Sequence, residues 1–315
     1  MTPEPLAETP SRILVIKLSA FGDFVLSLAA FQTLRAHHRA AEITLLTTAP
    51  YQEMAAASGC FDKVWIDRRP AWWRVGAWLT LRRRLSEGSF ARVYDLQRSD
   101  RSAAYFRLWP APKPEWVGVA PGCSHRYRPP RGRVLHICAR EAEQLALTGV
   151  PAPGLPDLSF FTADLGGFDL PERFALLVPG GSAHRPGKRW PAASYAALAR
   201  HLLERNVVPL LLGAEAERRE TAAIAEAAPG ARDLCGRTSL EAIAALAREA
   251  LLAVGNDTGP MHLIAAAGAP ALVLYSKDSD PAKIAPRGPK VATLRRERLA
   301  DLSLEEVVAA LPNRS

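Results

Sequence analysis

Three short polar segments interrupt apolar runs in this 315-residue chain, and each carries residue types that can do chemistry. The densest is Gly255-Asn256-Asp257-Thr258-Gly259-Pro260-Met261-His262, set between the apolar Leu251–Val254 and the small-residue run Ile264–Gly268. The Thr258 hydroxyl and the N–H groups of Thr258 and Gly259 meet the positive end of a helix there, which suits a phosphate or diphosphate. His262, one turn further, can donate a hydrogen bond. Asn256 and Asp257 also read as turn formers and His262 as a core histidine; so many polar groups between two apolar segments favour a ligand. Asp257 would repel a diphosphate unless it holds a ribose, receives Lys188 or organises the loop.

The second segment is Pro179-Gly180-Gly181-Ser182, followed by Gly187-Lys188-Arg189. Glycines with accessible N–H groups beside a Lys-Arg pair suit an anion, although a solvated basic loop has the same composition. The third is Ser19-Ala20-Phe21-Gly22-Asp23, between the first apolar run and the first helix. Gly22 allows close approach to the backbone. Asp23, at a helix start, is stabilised as a carboxylate and can face a hydroxyl; it reads equally well as a helix cap. Glu215 and Glu217 follow another apolar run and can accept bonds from sugar or ribose hydroxyls. Neither GxGxxG nor GxxxxGK[ST] occurs, and no constellation calls for a metal.

These segments need elements to position them. Residues 12–17, 43–46, 64–66, 93–96, 116–119, 174–178, 207–212, 251–254 and 271–275 read as short strands. Helical stretches separate most of them, as in a parallel sheet covered on both faces. In the first helix, Val25, Leu28, Ala29, Phe31 and Leu34 form an inward stripe. In a helix over 72–85, Trp72, Val75 and Leu79 share the inward face. Pro and Gly crowd residues 151–171, which marks a domain junction. The expected division is a flexible tail over 1–11, one domain over 12–165, a second over 166–302 and a terminal helix over 303–315.

Composition narrows the partners. The chain is 48% hydrophobic, enough for two cored domains, and carries a formal charge of +8 that lies mostly in the first half. Six arginines fall between Arg68 and Arg84 with no acidic residue among them, favouring anionic partners. Three tryptophans share that stretch, so a membrane interface and a core helix with a basic end both fit. No reading helix or aromatic strand motif supports nucleic-acid binding. Four scattered cysteines and the lack of a signal-peptide pattern or a long uncharged apolar run point to a cytoplasmic protein.

RILVIKLSAFGDFVLSLAAFQTLR, PGGSAHRPGKRWP and LAVGNDTGPMHLIAAAGAP together resemble the bacterial ADP-heptose:lipopolysaccharide heptosyltransferases, glycosyltransferase family 9, over residues 12–312. The resemblance implies an α/β glycosyltransferase B fold, two Rossmann-like domains facing across a cleft, with the terminal helix packing back on the first. It implies a cytoplasmic enzyme, peripheral on the inner membrane, that moves heptose with inversion from ADP-heptose to an anionic lipopolysaccharide core. Neither cofactor, metal nor nucleic acid takes part. By resemblance, Asp23 is the general base and Lys188 sits at the donor phosphates. Ser182, Glu217, Asp257, Thr258, Gly259 and His262 hold the donor, with Glu215 close enough to leave the register of Glu217 open. Lys17, Ser19 and Gly22 line the acceptor side. Two departures stand out: Asp95-Leu96-Gln97-Arg98 replaces Asp-x-Gln-Gly, and Tyr275–Pro281 differs from Phe-Gly-x-Thr-x-Pro. Alternatives are a same-fold transferase with another nucleotide sugar or acceptor, and a noncatalytic nucleotide-sugar or glycan binder.

Overall fold

The computed structural model describes residues 11–130, 132–181 and 186–312. The chain divides into two compact units between Gly154 and Leu155, inside the Pro- and Gly-rich stretch.

The first unit carries β1 (Arg12–Ile16), α1 (Phe21–His37), β2 (Glu42–Thr47), α2 (Gln52–Ala57), β3 (Lys63–Ile66) and α3 (Val75–Glu87). It continues with β4 (Arg92–Asp95), α4 (Asp100–Leu108), β5 (Glu115–Gly118), β6 (His125–Arg126) and α5 (Ile137–Ala146). The strands form one sheet in the order β3-β2-β1-β4-β5-β6, with every neighbouring pair parallel. Ile13–Ile16 are fully buried, as a central strand covered on both faces requires. The expected stripe of α1 is buried in full.

Helix α3 reverses the expected face. Trp78, Leu81 and Leu85 point inward, while Val75 and Leu79, and Trp72 before the helix, are exposed. The Trp78 ring sets this register: it packs on Tyr105, and its Nε1 donates to the Ala71 carbonyl at 3.1 Å. A buried indole needs a partner for its N–H, and Trp78 finds one on this side together with Leu81 and Leu85.

At the end of α1, His38 is buried with Nε2 at 2.8 Å from the Tyr94 hydroxyl. Burial, with His37, Arg92 and Arg35 nearby, pushes its pKa down to about 4.

The second unit carries β7 (Phe174–Val178), α6 (Ala192–Leu203), β8 (Val208–Leu211), α7 (Arg218–Ala227), β9 (Arg232–Asp233) and α8 (Leu240–Glu249). After these come β10 (Leu252–Asn256), α9 (Gly259–Ala266), β11 (Ala271–Tyr275), α10 (Pro281–Ile284), β12 (Val291–Arg295) and α11 (Leu304–Ala309). Its sheet is parallel throughout, in the order β12-β11-β10-β7-β8-β9. With strands counted from each unit's own first, both sheets read 3-2-1-4-5-6, the Rossmann order. In this order the chain leaves the first and fourth strands toward opposite sides, opening a crevice at their carboxyl ends. Helix α11 packs on α6 and puts Val307 into the second unit's core.

The second crevice is held by Asn256, which is fully buried. Its Nδ2 donates to the Pro179 and Gly180 carbonyls at 2.7 and 3.1 Å. Its Oδ1 accepts from the Trp190 N–H at 3.0 Å and the Tyr195 hydroxyl at 3.1 Å. Next to it Gly255 admits no side chain: a Cβ there would lie 2.5 Å from the Met261 sulfur and 2.8 Å from the Val178 Cβ.

Two stability measurements check this reading. Asn256→Ala orphans a buried N–H and two carbonyls, at about 1–3 kcal/mol each when unpaired, so the second unit should lose at least ~3 kcal/mol in urea unfolding. A loss near zero would mean the four bonds do not hold the crevice. For His38 the folded pKa lies below the ordinary 6.5, so the unfolded chain binds the extra proton between about pH 6.5 and 4. Its stabilisation is complete above pH 6.5 and is lost as the pH falls toward 4. Asp95, whose pKa burial raises to about 6, acts with the opposite sign: its contribution is present below pH 3.8 and lost as the pH rises through 6. The difference between wild type and His38→Gln removes that term. Wild type should lose its advantage between pH 6.5 and 4, and a flat difference would contradict a neutral buried His38.

Candidate functional site

The crevice of the second unit contains a cavity of about 510 Å³. One wall is apolar, from Leu212, Leu240 and Ile243; the other presents Gly180, Gly181, Asp257, Thr258 and Gly259. Glu217 lines the cavity as well, packed against Gly180 and Gly213. The glycines are what admits this carboxylate. A Cβ on Gly180 would come within 2.7 Å of Glu217 Cγ, and one on Gly213 within 3.0 Å of its Cβ. Glu217 Oε2 accepts the Ala214 N–H at 3.0 Å, and Oε1 lies 3.8 Å from Arg189 Nη2. Glu215, two residues earlier, is exposed and pairs with Arg218 at the surface. The register between the two acids, open in the sequence, has a geometric answer: Glu217 lines the cavity.

Lys188 Nζ lies 2.8 Å from Asp257 Oδ2, and the same oxygen accepts the Ser279 hydroxyl at 2.6 Å. Of the roles open to Asp257 in the sequence, the structure supplies the one that receives Lys188. Ser279 belongs to the stretch that departs from the family pattern, so that departure reaches the cavity through Asp257. Arg189 turns the other way, with Nη1 at 3.0 Å from Glu220 Oε2 and Nη2 on the Gly181 carbonyl. Burial raises the Glu220 pKa, against the pull of Arg189.

Thr258 is the N-cap of α9, yet its side chain caps nothing, and its buried Oγ1 has no partner among the described residues. Gly259 offers a first-turn N–H, whereas Pro260 removes the next donor. His262 is buried one turn into α9 and is not among the cavity-lining residues. Ser182 lies outside the described residues.

In the first unit the equivalent crevice lies where β1 and β4 end. Gln97 Oε1 accepts the N–H groups of Leu18 and Ser19 at 2.7 and 3.1 Å, fixing the loop that leads to Gly22 and Asp23. Asp23 is the third residue of α1, whose N-cap is Ala20. Its carboxylate makes no hydrogen bond or ion pair among the described residues, so the capping alternative does not describe it. Lys17 does not present its charge at the crevice. It is buried, with Nζ at 3.3 Å from Glu141 Oε1 and 3.4 Å from the Leu96 carbonyl.

Glu141, which carries no sequence signal beyond its place in a helix, also accepts the Ser27 hydroxyl at 2.7 Å and faces Arg98 Nη2 at 3.7 Å. Arg98 stands where the family pattern has Gly, and its φ of +52° explains the preference: this is left-handed backbone. Here the arginine accepts that conformation while its guanidinium reaches Glu141. Among the described residues no group of three or more His, Cys, Asp or Glu is arranged to hold a metal, and no helix is long and apolar enough to cross a membrane.

Comparison with known proteins addresses the family and the fold. The family model for glycosyltransferase family 9 (heptosyltransferase) matches residues 78–309. Lipopolysaccharide heptosyltransferase 2 of Salmonella typhimurium is 36% identical over 104 residues, a match spanning 31% of this chain and 30% of that relative. A glycosyl transferase family 9 structure from Veillonella parvula superposes with a TM-score of 0.81 at 19% identity, covering 95% of both chains. ADP-heptose lps heptosyltransferase II of E. coli gives 0.74 at 24%, covering 95% of this chain and 97% of that one. These likenesses identify the two Rossmann-like units as the glycosyltransferase B fold. A family model matching well over half the sequence, on a chain with that fold, means that the protein belongs to glycosyltransferase family 9, the heptosyltransferase family.

Proposed function

We propose that the chain is an inverting glycosyltransferase that moves a heptose from ADP-heptose to a lipopolysaccharide inner-core acceptor. The observation that carries this reading is the cavity of the second unit, whose lining offers one nucleotide three kinds of surface. Leu212, Leu240 and Ile243 supply an apolar wall for a base. Glu217 adds a carboxylate for ribose hydroxyls. Gly180, Gly181, Thr258 and Gly259 bring N–H and hydroxyl donors for a diphosphate, with Lys188 held on Asp257.

In the proposed reaction an acceptor hydroxyl oxygen attacks the anomeric carbon, Asp23 takes its proton, and the bond from that carbon to the diphosphate breaks. ADP leaves with the electron pair. As negative charge grows on the departing diphosphate, Lys188 exchanges Asp257 for it, and Ser279 still donates to the carboxylate left behind. An uncommitted Asp23 suits the base, since its lone pairs face no competing donor. The carboxylate accepts the proton late in bond formation and contributes roughly 10²–10⁴-fold. The acceptor is anchored in a lipid, so the enzyme works at the inner face of the membrane.

Asp23→Asn should lower kcat for transfer from ADP-heptose to a truncated lipopolysaccharide core by roughly 10²–10⁴-fold, with ADP affinity by calorimetry unchanged. Full turnover in that variant would remove Asp23 as the base, and a wild type that binds ADP-heptose without turnover would favour the noncatalytic binder. Glu217→Ala should weaken ADP binding by about 10–100-fold, the worth of a charge-assisted hydrogen bond, while Glu215→Ala leaves it unchanged. Equal effects at the two positions would contradict the ribose assignment. A screen of other nucleotide sugars in the same assay decides whether heptose is the transferred group.

A further inference from the structure

We propose that the outward face of α3, with the turn before it, is a docking surface for an anionic lipid bilayer. The inference adds a partner and a location to the proposed transfer to a lipid-anchored acceptor. Lipid binding itself needs neither donor nor acceptor.

Four of the seven large hydrophobic side chains exposed among the described residues fall in one stretch of eight: Trp72 (57%), Trp73 (81%), Val75 (65%) and Leu79 (55%). They are exposed because Trp78, Leu81 and Leu85 take the buried side of α3. Trp72 is held in place before any partner arrives. Its ring stacks on Trp78 with centroids 5.0 Å apart and planes 14° from parallel, and the Arg101 guanidinium lies 4.9 Å from its centre. Presenting a fixed indole costs little ordering entropy on binding. Beside it, Trp72, Val75 and Arg107 border a shallow depression of about 350 Å³.

The charge around this patch is predominantly positive, with Glu87 the one exposed acid on the helix. Arg68, Arg69, Arg74, Arg82, Arg83 and Arg84 are all exposed. Only Arg83 is in an ion pair among the described residues, at 3.6 Å from Glu87 on the far end of the helix. Asp67, the nearest acid in sequence, is buried and committed to the Tyr105 hydroxyl and the Arg69 N–H. Indole rings at headgroup depth, aliphatic side chains just below and arginines reaching for phosphates are the pattern of an interfacial helix on anionic lipid. A nucleic acid would use the arginines but leave Val75, Leu79 and the outer face of Trp73 in water. The apolar half of the patch therefore selects the bilayer.

The test is co-sedimentation of the full chain, without donor or acceptor, with vesicles of pure phosphatidylcholine or of equal parts phosphatidylcholine and phosphatidylglycerol. Binding should require phosphatidylglycerol, weaken as salt shortens the screening length, and shift tryptophan emission to the blue. Trp73→Glu combined with Leu79→Glu should lower partitioning on the order of 100-fold, from two apolar side chains no longer buried. Arg82→Glu with Arg83→Glu should lower it on anionic vesicles alone. Both pairs are solvent-facing, so an unchanged thermal midpoint verifies the fold. Wild type that ignores both vesicles, or a Trp73/Leu79 variant that binds as well as wild type, overturns the proposal. So does tight binding of a single-stranded oligonucleotide that needs the arginines and is indifferent to Leu79. Transfer to a delipidated, water-soluble core should survive in the Trp73/Leu79 variant; its loss in wild type would count against the transferase reading instead.

Discussion

Backbone groups that run off the carboxyl edge of a parallel sheet have no strand partner, and inside a crevice they have little water. Each sheet of this protein meets that constraint with one amide side chain at the end of its fourth strand, set across to the loop after its first. In the first unit Gln97 uses its carbonyl, accepting the N–H groups of Leu18 and Ser19. In the second, Asn256 uses both ends of its amide, binding two carbonyls of the glycine loop and the Trp190 N–H. Much else follows from these clamps. Trp190 held at Asn256 brings Lys188, two residues earlier, to Asp257, the first residue after β10. Gln97 likewise fixes the loop from which Asp23 emerges.

The charge pattern around the second clamp is less simple than a basic pocket for an anion. Lys188 and Arg189 face Asp257, Glu217 and Glu220, so carboxylates outnumber cations. A diphosphate would be recognised here through aimed donors and an ion pair able to change partners, since net charge does not favour it. The raised pKa of Glu220 eases the excess, because a proton is retained there more readily than on an exposed acid.

Much of the architecture was legible in the sequence because strands buried on both faces are runs of Ile, Leu and Val, and those runs alternate with helical periods. Strand order was not, since period and length carry no information about which neighbour a strand takes. Helix α4 went unread: its start is a Ser99–Ser102 capping box, and its short length gives little periodic signal. At α3 the stripe was counted on the wrong side, because Trp78 is fixed by its contact with Tyr105 and its bond to the Ala71 carbonyl, neither of which a count of apolar positions can see. Among site residues, Gly180, Asp257, Thr258 and Gly259 stood out by composition and lie together. Lys17, just after β1 and ahead of Asp23, is buried against Glu141, which nothing in a single sequence pairs with it across more than a hundred residues. Asn256 looked like one member of a ligand loop and proved to be the clamp beneath it.

The position of the unit boundary has a historical consequence. Every residue lining the nucleotide-sized cavity lies between Val178 and Pro260, well inside the second unit, and the break at Gly154–Leu155 cuts no strand of either sheet. A gene rearrangement at that joint would carry the whole pocket intact to a new first half. Specificity for one reactant could then be inherited as a block while specificity for the other drifted, so the two halves of such a chain need not share the same ancestry.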